Sequence, residues 1–328
     1  MQISIIIPMY NAEGTIIQTL KSLENQTIRD FDIVIVDDGS QDTSPELVKQ
    51  FSNQSNLLIK LIKQVNSGPA KARNLGVQNS NGEIIIFLDS DCITPPNWIE
   101  MMIEPLKGNV IGCNCGYRVK NKNSLIARYI NNEIAYRHEK MLGQKIGTIG
   151  TYSASFVKSI FTKAGGFNTE YTSANAEDFD LGFTINRMGY SIRFTGETFV
   201  WHFHVDSVNK YLKQQFSRGY WRVKMYLRNK DKIVKGDSYT GHEAQFQFIY
   251  SNLAFVSLIL IAVNPYFPLI GFGLLLISNL PLGLWAYRRE KKYVLIAPVL
   301  ASLRSLSGTI GAYTYAIKHL SRWLKEYL

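Results

Sequence analysis

The sequence contains little cysteine, and no glycine-rich turn follows its first apolar segment. Three cysteines in 328 residues are too few for a disulfide framework or a four-ligand zinc site, as expected for a reducing compartment. A dinucleotide-binding fold would need a Gly-x-Gly-x-x-Gly turn after the first strand, whereas residues 8–14 contain one glycine. Because a strand-like segment follows Met1 at once, we expect no cleavable signal peptide. These absences disfavour a disulfide-rich protein and a nicotinamide enzyme.

Long apolar runs begin only beyond residue 244. Residues 244–263 and 265–287 each have about the twenty residues that cross the core of a bilayer, with a turn at Asn264-Pro265 between them. The basic residues in 288–292 indicate a cytoplasmic loop, which places the N-terminal part of the chain in the cytoplasm as well. Buried core helices are the alternative interpretation.

The next segment, residues 293–317, allows two interpretations. Arg304 lies near its middle, and an arginine inside a bilayer is costly unless it is paired or hydrated. Small residues at Ser307, Gly308 and Gly311 would permit close packing of a third span against the hairpin. The basic residues that follow favour the cytoplasm, so the segment is either a third span or a re-entrant segment.

Positive charge is concentrated just before these apolar runs. The formal net charge of +10 would ordinarily suggest a nucleic-acid partner. Residues 206–243, however, combine many cations with apolar side chains at helical spacing, which predicts an amphipathic interfacial helix and linker. We therefore expect anionic membrane lipids as partners, and no nucleic acid.

The first ninety residues alternate between strand-like and helix-like segments. Apolar runs at 3–7, 31–36, 57–62 and 84–88 predict buried strands, and the segments between them have helical periodicity. This alternation predicts an α/β fold with a parallel sheet. Ligands of such sheets bind at the carboxyl ends of the strands, so the turns after these strands should converge on one crevice.

Two carboxylates follow the fourth predicted strand at alternate positions. Successive side chains of a strand point to opposite faces, which places Asp89 and Asp91 on one side and Ser90 on the other. Oxygen ligands of this kind suit Mg²⁺ or Mn²⁺. A polar turn that merely ends the strand is the alternative.

Other charged residues lie at the same predicted edge. The carboxylates of Asp37 and Asp38 can accept hydrogen bonds from a nucleobase or a ribose, and the cations of Lys71 and Arg73 suit phosphate. Alternatively, these two cations lie on a solvated helix end.

Several runs, in order, carry a resemblance to a known family. They are residues 4–11, 36–40, 66–76, 82–91, 165–167 and 176–181. With these runs, residues 3 to about 205 resemble the catalytic domain of family 2 glycosyltransferases. The resemblance implies a GT-A fold, which is a Rossmann-like nucleotide-binding mixed sheet, an inverting mechanism and a nucleotide-sugar donor such as a UDP- or GDP-sugar.

The resemblance also assigns roles to individual residues. It implies that Asp37 and Asp38 bind the nucleoside and that Asp89 and Asp91 hold Mn²⁺ or Mg²⁺. The candidate nucleotide-sugar contacts in this domain are Pro8, Tyr10, Asn11, Asp37, Asp38, Lys71, Arg73, Asp89 and Ser90.

The Glu177-Asp178 pair is the candidate catalytic pair. Transfer of a sugar to a hydroxyl needs a base that removes the hydroxyl proton, and one carboxylate is sufficient. We assign the base to Asp178 and an orienting role to Glu177. Acids near a helix amino terminus are also favoured by the helix dipole, which is the structural alternative. A phosphate acceptor would need no strong base.

Two histidines, His202 and His204, follow a predicted strand at residues 192–200. They would share a face if that strand continues, and one of them is a candidate metal ligand beside the Asp-x-Asp element.

Gln215 and Arg218 resemble part of the Gln-x-x-Arg-Trp element of membrane sugar polymerases, in which the arginine contacts the donor diphosphate. Gly219 stands where the tryptophan should follow. The match is therefore partial, and it gives no firm case for processive synthesis.

Together these patterns predict three segments. Residues 1–205 form the catalytic domain, residues 206–243 the basic interfacial helix and linker, and residues 244–328 the membrane domain. The predicted function is a membrane-anchored glycosyltransferase with a lipid-borne acceptor, such as a polyprenyl-phosphate, a lipid-linked glycan or a glycolipid. A processive polysaccharide synthase and a catalytically silent membrane-binding relative are the alternatives.

Overall fold

The structure is a computed structural model that describes residues 2–172, 175–235, 238–239 and 241–327. The chain divides into two compact units. The first unit contains residues 1–120 and 138–203, and the second contains residues 121–137 and 204–328. The predicted catalytic domain of residues 1–205 thus differs from the first unit mainly by residues 121–137, which belong with the C-terminal helices.

The strands, in chain order, are β1 (Ile3–Met9), β2 (Phe31–Asp37), β3 (Leu58–Lys63), β4 (Ile84–Leu88), β5 (Cys92–Ile93), β6 (Val110–Val119), β7 (Lys145–Ile146), β8 (Ser153–Val157) and β9 (Ser191–His202). The helices are α1 (Ile16–Glu24), α2 (Ser44–Gln54), α3 (Pro69–Gln78), α4 (Trp98–Ile103), α5 (Leu125–Glu139), α6 (Lys158–Lys163), α7 (Glu177–Arg187), α8 (Val208–Arg228), α9 (Asp231–Lys235), α10 (Gly241–Ile259), α11 (Phe267–Ser278), α12 (Leu280–Tyr287) and α13 (Tyr293–Tyr327). A short 3₁₀ helix, Leu260–Ala262, follows α10.

One mixed sheet organises the first unit. Its strand order is β3-β2-β1-β4-β8-β6-β9-β5, with β7 paired to β9. The strands β3, β2, β1 and β4 are parallel, whereas β8 runs antiparallel to both β4 and β6. Side chains of β1 and β4 are buried on both faces, which explains their continuous apolar sequences.

The sheet creates a crevice beside β1. The chain leaves β1 towards β2 on one side and later returns to β4 on the other, so the carboxyl ends of β1 and β4 border a topological switch point. Tyr10 and Asp89 follow these two ends directly, and Asp37 ends the neighbouring β2. The sequence analysis predicted that the turns after these strands would lie at one crevice.

Helices form the second unit. Within residues 206–243, the segment predicted as interfacial, the described residues form α8, α9 and the start of α10, and one face of α8 packs closely on α13. A Cβ atom on Gly219 would collide with the carbonyl of Gly308, and one on Gly311 would collide with the carbonyl of Phe216. The small residues of α13 therefore pack against α8, a contact that the prediction of packing against the hairpin did not include.

Among the residues that the structure describes, two helical segments are long and apolar enough to cross a membrane, namely Gln245–Ala262 and Tyr293–Leu320. The predicted span at 265–287 is instead a pair of helices, α11 and α12, bent by 44°. Pro281 lies in the first turn of α12 and lacks an N–H donor, while the Asn279 side chain bonds the Leu275 carbonyl at 2.9 Å. The pair counts as a third candidate span if the bend lies within it.

Residues 293–317, which were predicted as a third span or a re-entrant segment, lie in the continuous helix α13. Its Arg304 has the partners that an arginine in an apolar helix requires. The guanidinium pairs with the Glu133 carboxylate of α5 and donates to the side chain of Gln247.

Candidate active site

A cavity of about 420 Å³ lies at the carboxyl ends of β1 and β4. This volume is in the usual range for small-molecule sites. The cavity gathers residues that are far apart in the sequence but were predicted to share a site. Those that line it are Pro8, Tyr10, Asp38, Arg73, Asp89, Ser90 and Asp91.

The Asp37 and Asp38 carboxylates hold the loops around this cavity. The amide of Ser40 donates to Asp37 Oδ1 at 2.9 Å. Asp38 accepts hydrogen bonds from the Ser67 amide at 2.7 Å and from the Gly68 amide at 2.9 Å, which join the end of β2 to the start of α3. Asp38 lines the cavity and accepts a third hydrogen bond from the Gln64 side chain at 2.6 Å, which leaves one of the about four acceptor positions of an ionised carboxylate for a ligand. Asp37, its neighbour in the sequence, is 2% exposed.

Asn11 has a loop-building position beside Tyr10. Its φ of 48° is in the left-handed region, which asparagine tolerates better than most residues. The Asn11 amide donates to Ser40 Oγ at 3.0 Å, and its side-chain oxygen accepts from the Gln41 amide at 2.8 Å. These bonds leave the neighbouring Tyr10 ring, 48% exposed, on the cavity wall, where it is available for stacking on a base.

Arg73 connects two carboxylates that lie 88 residues apart in the sequence. Its guanidinium is 2% exposed and contacts Asp89 Oδ1 at 2.8 Å and Glu177 Oε1 at 3.1 Å. Burial alone would lower the pKa of Arg73, but the two carboxylates raise it, so the side chain stays charged. The structure thus engages Arg73 with protein carboxylates. Lys71, the other predicted phosphate cation, is exposed on α3.

The Glu177-Asp178 pair begins α7, and its two carboxylates have different surroundings. Glu177 is buried, and its Oε2 accepts hydrogen bonds from the amides of Asn175 and Ala176 at 2.9 and 3.1 Å. Asp178 Oδ1 accepts from the Phe179 amide at 2.9 Å. Burial and the adjacent Glu177 charge raise the pKa of Asp178 to about 7. A carboxylate with that pKa is suited to exchange a proton near neutral pH.

Asp91 lies against His202 because β5 pairs with β9. This pairing places Cys92 opposite His202 in the register, and His202 Nε2 lies 3.4 Å from Asp91 Oδ1. Burial raises the pKa of Asp91, and although His202 lowers it, the charge of Asp89 raises it again. A divalent cation would relieve that repulsion between carboxylates.

This donor set fits Mn²⁺ or Mg²⁺. The ligand atoms of Asp91, Cys92 and His202 lie within 4.8 Å of one another, and Asp89 lines the same cavity. Burial raises the pKa of the Cys92 thiol well above its ordinary value, so the thiol stays protonated and is a poor ligand. A carboxylate oxygen and an imidazole nitrogen remain, and manganese accepts both. His204 belongs to the second unit, where its backbone exchanges two hydrogen bonds with the Asn121 side chain.

Residues 4–164 match the model of glycosyl transferase family 2. The chain carries a family 2 glycosyltransferase domain. Its activity class is therefore glycosyl transfer, as the sequence predicted.

Two curated relatives extend this match beyond the family domain. The glycosyltransferase is 26% identical to glycosyltransferase AglE of Haloferax volcanii over 232 residues, which are 69% of this chain and 74% of that protein. It is 29% identical to the probable glycosyltransferase YdaM of Bacillus subtilis over 264 residues, or 75% of this chain and 58% of that protein.

A solved structure agrees with the fold. The mannosyltransferase PcManGT from Pyrobaculum calidifontis, in complex with GDP-Man and Mn²⁺, superposes with a TM-score of 0.64 at 17% identity. The match covers 96% of this chain and 86% of that chain. At this identity the likeness shows the fold alone, and it confirms the mixed-sheet GT-A fold.

Gln215 and Arg218 of the glycosyltransferase lie on α8 in the second unit, where both line a separate cavity. Their predicted contact with the donor diphosphate stays a prediction.

Sequence reasoning missed one element of the active-site scaffold. The Asn74 side chain donates to the Phe167 carbonyl at 2.7 Å and accepts from the Phe167 amide at 2.9 Å, which fixes the loop before α7 to α3. Gly166 has a φ of +67°, and a Cβ there would lie 2.8 Å from the Asn74 side-chain oxygen. Both residues fall in runs that carried the family resemblance, but nothing in the sequence indicated that they contact each other.

Proposed function

We propose that the protein is an inverting, metal-dependent glycosyltransferase that moves a sugar from a nucleoside-diphosphate sugar to a lipid-borne acceptor. The observation that carries this proposal is the buried Arg73, which joins Asp89, beside the candidate metal ligands, to Glu177 of the candidate catalytic pair. In this proposal, one side chain would fix the distance between the donor-binding residues and the catalytic pair.

The donor would lie along the cavity at the switch point. Tyr10 offers a ring for the base, and Asp37 and Asp38 offer acceptors for the nucleoside. Asp91 and His202 would hold the cation, with Asp89 beside them, and a bound cation would neutralise negative charge on the diphosphate leaving group. The GDP-Man and Mn²⁺ held by PcManGT support this class of donor and cofactor.

Asp178 would act as the base. Its carboxylate removes the proton of the acceptor hydroxyl as that oxygen attacks the anomeric carbon, the bond to the diphosphate breaks, and the anomeric configuration inverts. A pKa of about 7 for Asp178 allows it to hold that proton and then release it to solvent. Glu177 is fixed by Arg73 and by two backbone amides, so we give it an orienting role.

The acceptor is proposed to be lipid-borne because the same chain carries helices long enough to cross a bilayer. Basic residues at 288–292, between α12 and α13, support placement of the catalytic domain on the cytoplasmic side. A phosphate group on the lipid, in place of a hydroxyl, would attack without help from a base.

The test uses the full chain purified in mild detergent. Labelled UDP- and GDP-sugars are supplied with Mn²⁺, and labelled lipid products are extracted and sized. We expect one donor to label a lipid fraction, activity to be lost under exhaustive chelation, and metal-dependent nucleotide binding to weaken by about tenfold or more in Asp91→Asn. Full activity under chelation would overturn the metal assignment, and exclusive labelling of water-soluble products would overturn the lipid acceptor.

A further inference from the structure

The second unit contains a cavity of about 670 Å³, which is larger than the donor cavity. All of its lining residues belong to that unit, and they come from α5, α8 to α13 and the adjoining loops. The volume suits a small molecule or the head and first part of the chain of a lipid.

The charged residues of this cavity leave an excess of positive charge. Four arginines line it, against Glu133 and Glu243. Glu133 is already committed, since its carboxylate pairs with both Arg304 and Arg137 and accepts the Tyr211 hydroxyl at 2.5 Å. These contacts lower the pKa of Glu133 to about 2, so it stays ionised and neutralises only part of the positive charge.

Arg218 is the cation most available to a ligand. It is half-buried on the cavity wall, and in the part of the chain that the structure describes no carboxylate pairs with it. Arg222 lines the same cavity one helical turn further along α8. Two arginines at this spacing point to a ligand group with several acceptor oxygens, such as a phosphate.

Hydrogen bonds brace the polar end of the cavity. The Gln247 side chain donates to Asn279 Oδ1 at 2.9 Å, and Asn279 donates to Ser302 Oγ at 3.3 Å. Gln247 also accepts from Arg304, so polar residues of α10, α13 and the turn between α11 and α12 form one connected network. The Arg304 side chain is thereby held in place before any ligand binds.

The remaining wall is apolar. It is formed by Val223, Leu227, Ile233, Phe248, Ile249 and Leu282. A ligand that fills both parts must combine an anionic head with a hydrocarbon tail.

We propose that this cavity binds a lipid with a phosphate head group, the phosphate on Arg218 and Arg222 and the hydrocarbon along the apolar wall. The inference goes beyond the proposed function by naming a second ligand site and the chemistry of its ligand, and it rests on the membrane association proposed above. The lipid is either a phosphorylated acceptor or an anionic phospholipid of the surrounding bilayer, because both present a phosphate head group with net negative charge.

The binding test compares four probes on the full chain in an uncharged detergent. Short-chain phosphatidic acid and farnesyl phosphate are titrated by microscale thermophoresis beside phosphatidylcholine of the same chain length and inorganic phosphate. We expect the first two to bind at least tenfold more tightly than the last two. Equal affinity for phosphatidylcholine would overturn the proposal, and so would equal affinity for inorganic phosphate.

Two variants locate the site. Arg218→Gln should weaken lipid binding by about tenfold or more. Lys213→Gln removes an exposed cation from the same helix outside the cavity lining, and it should leave lipid affinity within twofold. An equal loss in both variants would indicate general attraction to the helix and overturn the site.

A third variant keeps the test decisive if Arg218→Gln does not fold. Leu227 lines the cavity and is 54% exposed, so Leu227→Asp should fold and should weaken binding tenfold or more through its charge and the lost apolar contact. Unchanged affinity in Leu227→Asp would overturn the proposal.

The source of the lipid follows from competition. Farnesyl phosphate that displaces phosphatidic acid and becomes glycosylated identifies an acceptor site, whereas displacement without glycosylation identifies a phospholipid site. Either result supports lipid binding in the cavity.

Metal-dependent binding of UDP and GDP is measured on the same variants. If Arg218→Gln lowers nucleotide affinity and leaves lipid affinity intact, the residue is a donor contact and this proposal fails. If nucleotides never bind while lipid does, the glycosyltransferase proposal fails and the cavity stands.

Discussion

Each unit contains a cluster of three charged side chains around one buried central ion, and the net charges of the two clusters have opposite signs. In the first unit, the single cation Arg73 lies between the carboxylates of Asp89 and Glu177, which leaves an excess of one negative charge. In the second, the single carboxylate Glu133 lies between Arg304 and Arg137, which leaves an excess of one positive charge. The central ion stabilises each cluster, and the uncompensated charge favours a ligand of opposite sign, which is the proposed metal cation in the first unit and the proposed anionic head group in the second.

The largest expected effect separates chemistry from binding. Asp178→Asn cannot accept a proton, so kcat with a hydroxyl acceptor should fall by about 10² to 10⁴-fold while metal-dependent nucleotide affinity is retained. The matched control is Asp206→Asn, which alters an exposed carboxylate and should leave kcat unchanged. Normal turnover by Asp178→Asn would remove the base assignment.

The stabilities of the two ionic clusters can be compared by replacing one arginine in each. Arg73→Met leaves Glu177 buried without its cation, which should cost about 3–5 kcal/mol of unfolding free energy. Arg304→Met should cost less, because Glu133 keeps Arg137 and the Tyr211 hydroxyl. Denaturant titration in mild detergent measures both. A larger loss in Arg304→Met would contradict the expectation that Arg137 and the Tyr211 hydroxyl stabilise the Glu133 carboxylate without Arg304.

A smaller effect tests which atoms hold the cation. Asp91→Asn should lower the affinity for Mn²⁺, measured in the presence of GDP or UDP, by about tenfold or more, because it removes a charged ligand. Cys92→Ser should leave that affinity unchanged, because burial raises the pKa of the Cys92 thiol and Mn²⁺ prefers carboxylate oxygen and imidazole nitrogen to a protonated thiol. A comparable loss in Cys92→Ser would place the thiol among the ligands.

The smallest effect is a change in pH dependence. The base form of Asp178 predominates above its pKa of about 7, so kcat for a hydroxyl acceptor should rise with pH through about 7 and then level off. Glu177→Gln removes a neighbouring negative charge that raises this pKa, so the rise should move to lower pH. A shift to higher pH would contradict the assigned electrostatics.

Much of the first unit could be predicted because its signals are local. The apolar strand runs, the turns after them and the Asp-x-Asp element each occupy a few consecutive residues, and the parallel-sheet rule then brings the strand ends together. The segments between the strands were predicted only as helical in period, without their first residues. The first of them, α1, begins at Ile16, after a turn in which the Ala12 carbonyl accepts a bond from the Thr15 amide.

The pairings between distant residues required the tertiary structure. Arg73 was predicted as a phosphate cation on a helix end, and only the fold brings Glu177, 104 positions away, to its guanidinium. The partner of Arg304 is 171 positions away in α5, a segment whose sequence gave no such indication. His202 is selected over His204 at Asp91 by the pairing of β5 with β9.

The sequence by itself determined the family, the α/β alternation, the positions of the carboxylates and the apolar helices. Each of these follows from composition or from a motif or periodicity of a few consecutive residues. The tertiary structure alone decided which acidic side chain pairs with which basic one, where α8 packs on the glycines of α13, and where the pair α11 and α12 bends. Those properties depend on contacts between residues far apart in sequence, and the energy of a buried ion depends on the partner that the fold brings to it.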